Sequence, residues 1–198
     1  MIKRAGFALA VAGLLGGFAA TPAVASDSSP YIVGVWKFIQ KEKGKGHPVE
    51  VDTEVRFINP TDLTVTLEYA FFELDGTFCG CDRDTFEPNK TTIYTMADEL
   101  ALGSPLGPGQ PAVFSCKGNS GALKSIVFVN TPISLDNLGN ASQVGFTTHV
   151  FGDVTEGANS FLTGKVMTES GMQPVSINAD TLAEIQHIHD LCVTVNGP

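Results

Sequence analysis

The sequence predicts a mainly β protein, an antiparallel β-sandwich of the immunoglobulin/fibronectin type with a short C-terminal helix, and three observations predict it. Apolar and polar residues alternate with period two from Val49 to Phe57 and again from Leu63 to Phe71, the pattern of strands with one face buried and the other wet. Further short strand-like segments follow, separated by turn residues drawn from 21 Gly and 11 Pro, the punctuation of a sandwich rather than of βαβ units. Apolar residues make up 43 % of the chain and charged ones 17 %, with 13 Phe, so a core can be filled and disorder through high charge is excluded. A barrel is the alternative closure of the same strands.

The chain begins with a short positive region, Lys3 and Arg4. Ala5 to Ala20 is then an apolar run broken only by glycines, and Ala23-Val24-Ala25 is a small-x-small site before Ser26. That order is a secretory signal peptide over residues 1–25. The run is shorter than the roughly 20 apolar residues that span a bilayer, and no Cys stands at the cleavage site to carry a lipid. Residues 26–198 are then a single domain, periplasmic or extracellular, with no stable membrane anchor after cleavage. Lys and Arg number 12 against 21 Asp and Glu, a net charge of −9, and losing Lys3 and Arg4 makes it −11. Nucleic acid is excluded as a partner, because such affinity comes mainly from cations that neutralise phosphates.

Along the body, Val49, Val51, Thr53, Val55 and Phe57 share one face against Glu50, Asp52, Glu54 and Arg56. Asn59-Pro60-Thr61-Asp62 reads as a turn, with Pro60 fixing φ and Asx side chains bonding local backbone. In the next strand Leu63, Val65, Leu67, Tyr69 and Phe71 face one way, but Phe72 and Leu74 continue in the other phase. This slip predicts a bulge or burial on both faces. Asp75-Gly76 is a hairpin signal. Weaker strand segments are Ile32–Ile39, Thr91–Thr95, Ala112–Cys116, Ser125–Asn130, Val144–Phe151 and Phe161–Thr168. Met96–Leu102 suggests one or two helical turns, stopped by Gly103 and Pro105. The C-terminal helix starts either at a capping box, Thr181-Leu182-Ala183-Glu184, or one turn earlier at Asn178. Leu182, Ile185, Ile188 and Cys192 then fall on one face that packs on the sheet.

Four cysteines, Cys79, Cys81, Cys116 and Cys192, all belong to the exported chain, and an even number in an oxidising compartment reads as two disulfides. Cys79-Gly80-Cys81 also fits a CxC thiol-redox motif. Such a thiolate needs an electropositive setting, whereas Asp82 and Asp84 follow here with only Arg83 to oppose them. Strand residues two apart are too widely spaced for an unstrained mutual bridge, so each cysteine is expected to reach Cys116 or Cys192. The pairing Cys81 with Cys192 and Cys79 with Cys116 is our expectation among the connectivities.

His187 and His189 are the metal-like pair. On a strand they would share a face, but on the predicted helix they point about 200° apart, which forbids a common ion. His189 lies beside the apolar stripe and is expected to titrate below the ordinary imidazole value unless Asp190 or another acid pairs with it. His187 faces water. His47 sits in a Lys/Gly turn, and His149 falls on the face opposite Val144, Phe146 and Val150. No GxSxG, HExxH, Walker, dinucleotide or EF-hand spacing occurs, and the chain after Cys192 lacks the ligands of a blue-copper site. No catalytic residue and no cofactor are predicted. Phe71, Phe72, Phe78, Phe86 and Tyr94 are read as core rather than as an exposed ligand surface.

Phe57-Ile58-Asn59-Pro60-Thr61-Asp62, Phe71-Phe72-Glu73-Leu74-Asp75-Gly76, Cys81 and Glu87-Pro88-Asn89, together with Val144 to His149 and the helix ending in Cys192, resemble a loose group of secreted bacterial β-sandwich proteins, mostly uncharacterised. The resemblance lies in turn chemistry, so it implies the fold and transfers no catalytic residue. The function expected is a non-catalytic binding or structural role in the cell envelope, with an unknown protein or envelope component as partner. A small periplasmic thiol-redox protein using Cys79 and Cys81, or a metal-binding protein using His187 and His189, is the alternative.

Overall fold

In the computed structural model, residues 28–38, 49–96, 114–153 and 166–196 are described, except for the side chains of 49–52, 149–153 and 166–168. Residues 1–25 (expected to be a signal peptide), His47, the segment following Met96, Ala112, Val113, Phe161–Lys165 and the His149 side chain lie outside that set.

Within it the chain is mainly β. Nine strands run in chain order: β1 Tyr31–Lys37, β2 Val49–Ile58, β3 Val65–Glu73, β4 Phe78–Phe86, β5 Thr91–Thr95, β6 Ser120–Phe128, β7 Val144–Asp153, β8 Val166–Gly171 and β9 Gln173–Pro174. Two helices join them, a short α1 at Leu135–Gly139 after β6 and α2 at Ala179–Asn196 after β9. The strands form two sheets, one of five strands in the order β4-β3-β6-β1-β9 and one of four in the order β5-β2-β7-β8. Every strand pair is antiparallel.

The alternation predicted for β2 and β3 decides the layers. Val55 and Phe57 from one sheet meet Ile32, Trp36, Leu67, Tyr69, Phe71, Leu123 and Val127 from the other in a shared core. The opposite phase of the five-stranded sheet, Tyr31, Ala70, Phe72, Cys81, Ile126 and Phe128, packs beneath Ile185, Ile188 and Cys192 of α2 and Leu138 of α1. Sheet, sheet and helix are therefore three layers around two apolar cores, and β3 is buried on both faces from Leu67 to Phe72. Asn178 caps α2, its Oδ1 accepting from the N–H groups of Asp180 and Thr181 at 3.0 Å. The earlier of the two predicted starts is the real one.

The sequence reading differs from the structure at several elements. β4 is a full strand although only its hairpin was expected, and β6 begins at Ser120 rather than Ser125. The front of β6, Ser-Gly-Ala-Leu-Lys, is too small and polar to read as a strand, and Gly121 is needed there because a Cβ would meet the Phe72 carbonyl oxygen at 1.8 Å. Leu63 lies outside β3 and is 39 % exposed. Phe114 makes a single bridge to Gly80 rather than opening a strand.

Candidate functional site

The residues that sequence analysis singled out converge on β4 and on the helix above it. The register between β3 and β4 shifts at Phe71 and Phe72: Phe71 pairs with Gly80 and Phe72 with Phe78. Cys79 is thus the extra residue of a β-bulge, which reverses the direction of side chains on either side of it. In an unbroken strand Cys79 and Cys81 would share a face. Here Cys79 joins the core between the sheets and Cys81 the core under α2. The carbonyl of Phe72, opposite the bulge, accepts a hydrogen bond from the Trp36 indole at 3.0 Å.

Each cysteine accordingly has its own partner. Cys79 is bonded to Cys116 and Cys81 to Cys192, and among the described residues no cysteine is free. The bulge forbids the CxC pair from acting as a dithiol couple with itself, because the two sulfurs belong to different layers. Cys81 and Cys192 are fully buried, and Asn196 seals the end of the helix by donating to the Cys81 carbonyl at 3.0 Å.

One turn before Cys192, His189 turns its ring inward and its Nδ1 lies 3.0 Å from both carboxylate oxygens of Glu68. Glu68, on β3, is 0 % exposed. Its second partner is Arg83, directly across the ladder on β4, whose Nε donates to Oε1 at 2.7 Å with Nη2 at 2.6 Å. The ring edge of His189 meets Phe128, with centroids 5.3 Å apart. An acid does pair with His189, as the exception to the sequence expectation allowed. His187 is exposed on the other side of the helix, so the two imidazoles are not brought together. Among the described residues no group of three or more His, Cys, Asp or Glu is placed to hold a metal.

Glu68 and Arg83 were missed by sequence reasoning. The available signal was the phase of Ala70 and Phe72: Glu68 shares it, and two-sided burial of β3 takes it inside. Arg83 was not legible, since its register opposite Glu68 follows only once the bulge residue is counted. Chemically the cluster is an ion pair with both carboxylate oxygens engaged.

At the edge where β4 and β5 approach, Asp82 accepts from the Tyr69 hydroxyl at 2.8 Å and Asp84 from the Tyr94 hydroxyl at 2.9 Å. The rings of Tyr69 and Tyr94 stack with centroids 4.4 Å apart. Burial pushes the Tyr94 phenol above its ordinary value; a hydrogen bond with Thr92 opposes this, and Asp84 and Asp82 add to the rise. Burial and Glu184 do the same to Tyr31. A shallow groove of about 360 Å³ lies at the far end, between Ser28–Pro30 and Pro174–Ile177, and none of these described lining residues has a titratable side chain.

No protein-family model matches the chain, and no curated protein matches it. Among solved structures, the chain is similar to the crystal structure of Thermotoga maritima 1070, with a TM-score of 0.41 and 14 % identity over 73 % of this chain and 96 % of that one. A likeness of that degree carries no argument about function.

Proposed function

We propose that residues 26–198 form an exported, non-catalytic β-sandwich of the immunoglobulin/fibronectin type with a binding or structural role in the cell envelope, of the kind suggested by its resemblance to secreted bacterial sandwich proteins. The observation that carries this reading is the use made of the reactive groups. The cysteines close two disulfides, which belong to an oxidising compartment outside the cytoplasm, and the buried carboxylate–imidazole contact of Glu68 with His189 is an internal ion pair under a helix. No described helix is long and apolar enough to cross a membrane. The net charge of −9 supports a protein or envelope component as partner and opposes nucleic acid.

The test is fractionation of the native host followed by cross-linking and affinity capture from the envelope fraction. Expected are a chain starting at Ser26 outside the cytoplasm and one reproducible partner. A cytoplasmic chain that retains residues 1–25 overturns the reading. Catalytic turnover in an insulin-reduction assay, or stoichiometric metal binding abolished by His187→Ala, overturns it in favour of a thiol-redox or a metal-binding protein.

A further inference from the structure

We propose that the Cys79–Cys116 bond is a reversible redox switch, opened by an external dithiol while Cys81–Cys192 stays closed. The two disulfides differ first in access. Cys81 on β4 and Cys192 on α2 are both 0 % exposed, and an attacking thiolate must reach the sulfur it bonds to while the other sulfur leaves. Cys116 is half-buried and lies between exposed Ser115 and Lys117.

The second observation is a set of contacts, separate from the S–S bond itself, that hold both cysteines of this pair. The Ser115 N–H donates to the Cys79 carbonyl at 2.6 Å, and Phe114 bridges Gly80. The Phe114 ring lies edge-on to Phe71 at 5.2 Å, and the Lys117 N–H donates to Glu73 Oε1 at 2.6 Å. A bond whose partners stay in place when it opens can close again as an intramolecular reaction. Among the described residues the charged neighbours include Lys117, next to Cys116 in the chain, which favours an anionic attacker, and Glu73 at the end of β3, whose Oε1 accepts from the Lys117 N–H.

One thiolate of the dithiol attacks Cys116 Sγ, a mixed disulfide forms and Cys79 leaves as a thiolate. The second thiol then attacks the reductant's own sulfur in the mixed disulfide and releases Cys116. The dithiol is oxidised by two electrons to its disulfide, and Cys79 and Cys116 each take up a proton. A low-molecular-weight disulfide such as oxidised glutathione reverses the step. This is a stoichiometric exchange and requires no turnover, so it stands apart from the insulin assay above.

The test is timed reduction of the native protein by dithiothreitol, with acid quenching, alkylation by N-ethylmaleimide and peptide mapping. Cys79 and Cys116 are expected to be labelled about tenfold or more faster than Cys81 and Cys192, with circular dichroism unchanged and the bond restored by oxidised glutathione. Opening of both bridges at one rate, prior opening of Cys81–Cys192, or reduction only in denaturant overturns the proposal. The double variant Cys79→Ala, Cys116→Ala is expected to fold and to keep a bridge that resists the same treatment. Its failure to fold, or rapid opening of its remaining bridge, overturns the proposal as well.

Discussion

Glu68 is removed from water with Arg83 on the neighbouring strand and His189 on the helix as its partners. A carboxylate in that position is stable only while its counter-charge is present. Arg83→Met, which keeps the stem and removes the charge, is therefore expected to destabilise by about 3–5 kcal/mol. His189→Ala, which removes one hydrogen bond and a ring packed on Phe128, is expected to lower stability by about 1–3 kcal/mol, and His187→Ala to stay within about 0.5 kcal/mol. Urea melts of the three variants check the order, and a destabilising His187→Ala would contradict the helix placement. Alkaline pH tests the phenols. In the unfolded chain Tyr31 and Tyr94 ionise near pH 10, whereas in the folded protein both hold their protons to higher pH. The unfolded state is therefore favoured as pH rises through and beyond that value, and their contribution to stability, complete below it, is lost above it. Melts between about pH 8 and 11 should show this decline, and Tyr94→Phe should flatten it.

Elements with one wet face were legible and those with an unusual face were not. β2 was readable because Val55 and Phe57 alternate with Glu54 and Arg56, and α2 because three apolar residues recur at helical spacing above a sheet. β4 was obscured because its inner face carries Asp82 and Asp84, whose carboxylates bond tyrosine hydroxyls instead of packing. The two-residue β9 and five-residue α1 carry too few residues for any period to appear. Two substitutions test how the elements are fixed. Gly121→Ala would set a methyl group against the Phe72 carbonyl at 1.8 Å and the Trp36 indole nitrogen at 2.8 Å, so β3 and β6 cannot keep their spacing. A loss of about 3 kcal/mol or more is expected by thermal or chemical denaturation. Asn178→Ala removes the acceptor for two helix N–H groups, and a loss of about 1 kcal/mol is expected.

Over the whole molecule, the candidate site was half visible from sequence. Its cysteines and His189 announce themselves by residue type and helical spacing, whereas Glu68 and Arg83 are ordinary strand charges until the three layers are assembled and the bulge is counted. That bulge makes β4 the strand from which one disulfide enters each core. It also sets how the chain would carry a pulling force. Cys81 and Cys192 are 111 residues apart in sequence yet covalently joined, so tension applied between the two ends of the folded chain passes from β4 straight to the last turn of α2. Everything between them is spared from stretching. At about 3.3–3.6 Å per residue the hidden length is roughly 37–40 nm. In single-molecule stretching, the oxidised protein is expected to fall short of the fully reduced one by about that contour length. Opening Cys79–Cys116 alone should release none of it, because that loop does not lie on the shortest covalent path.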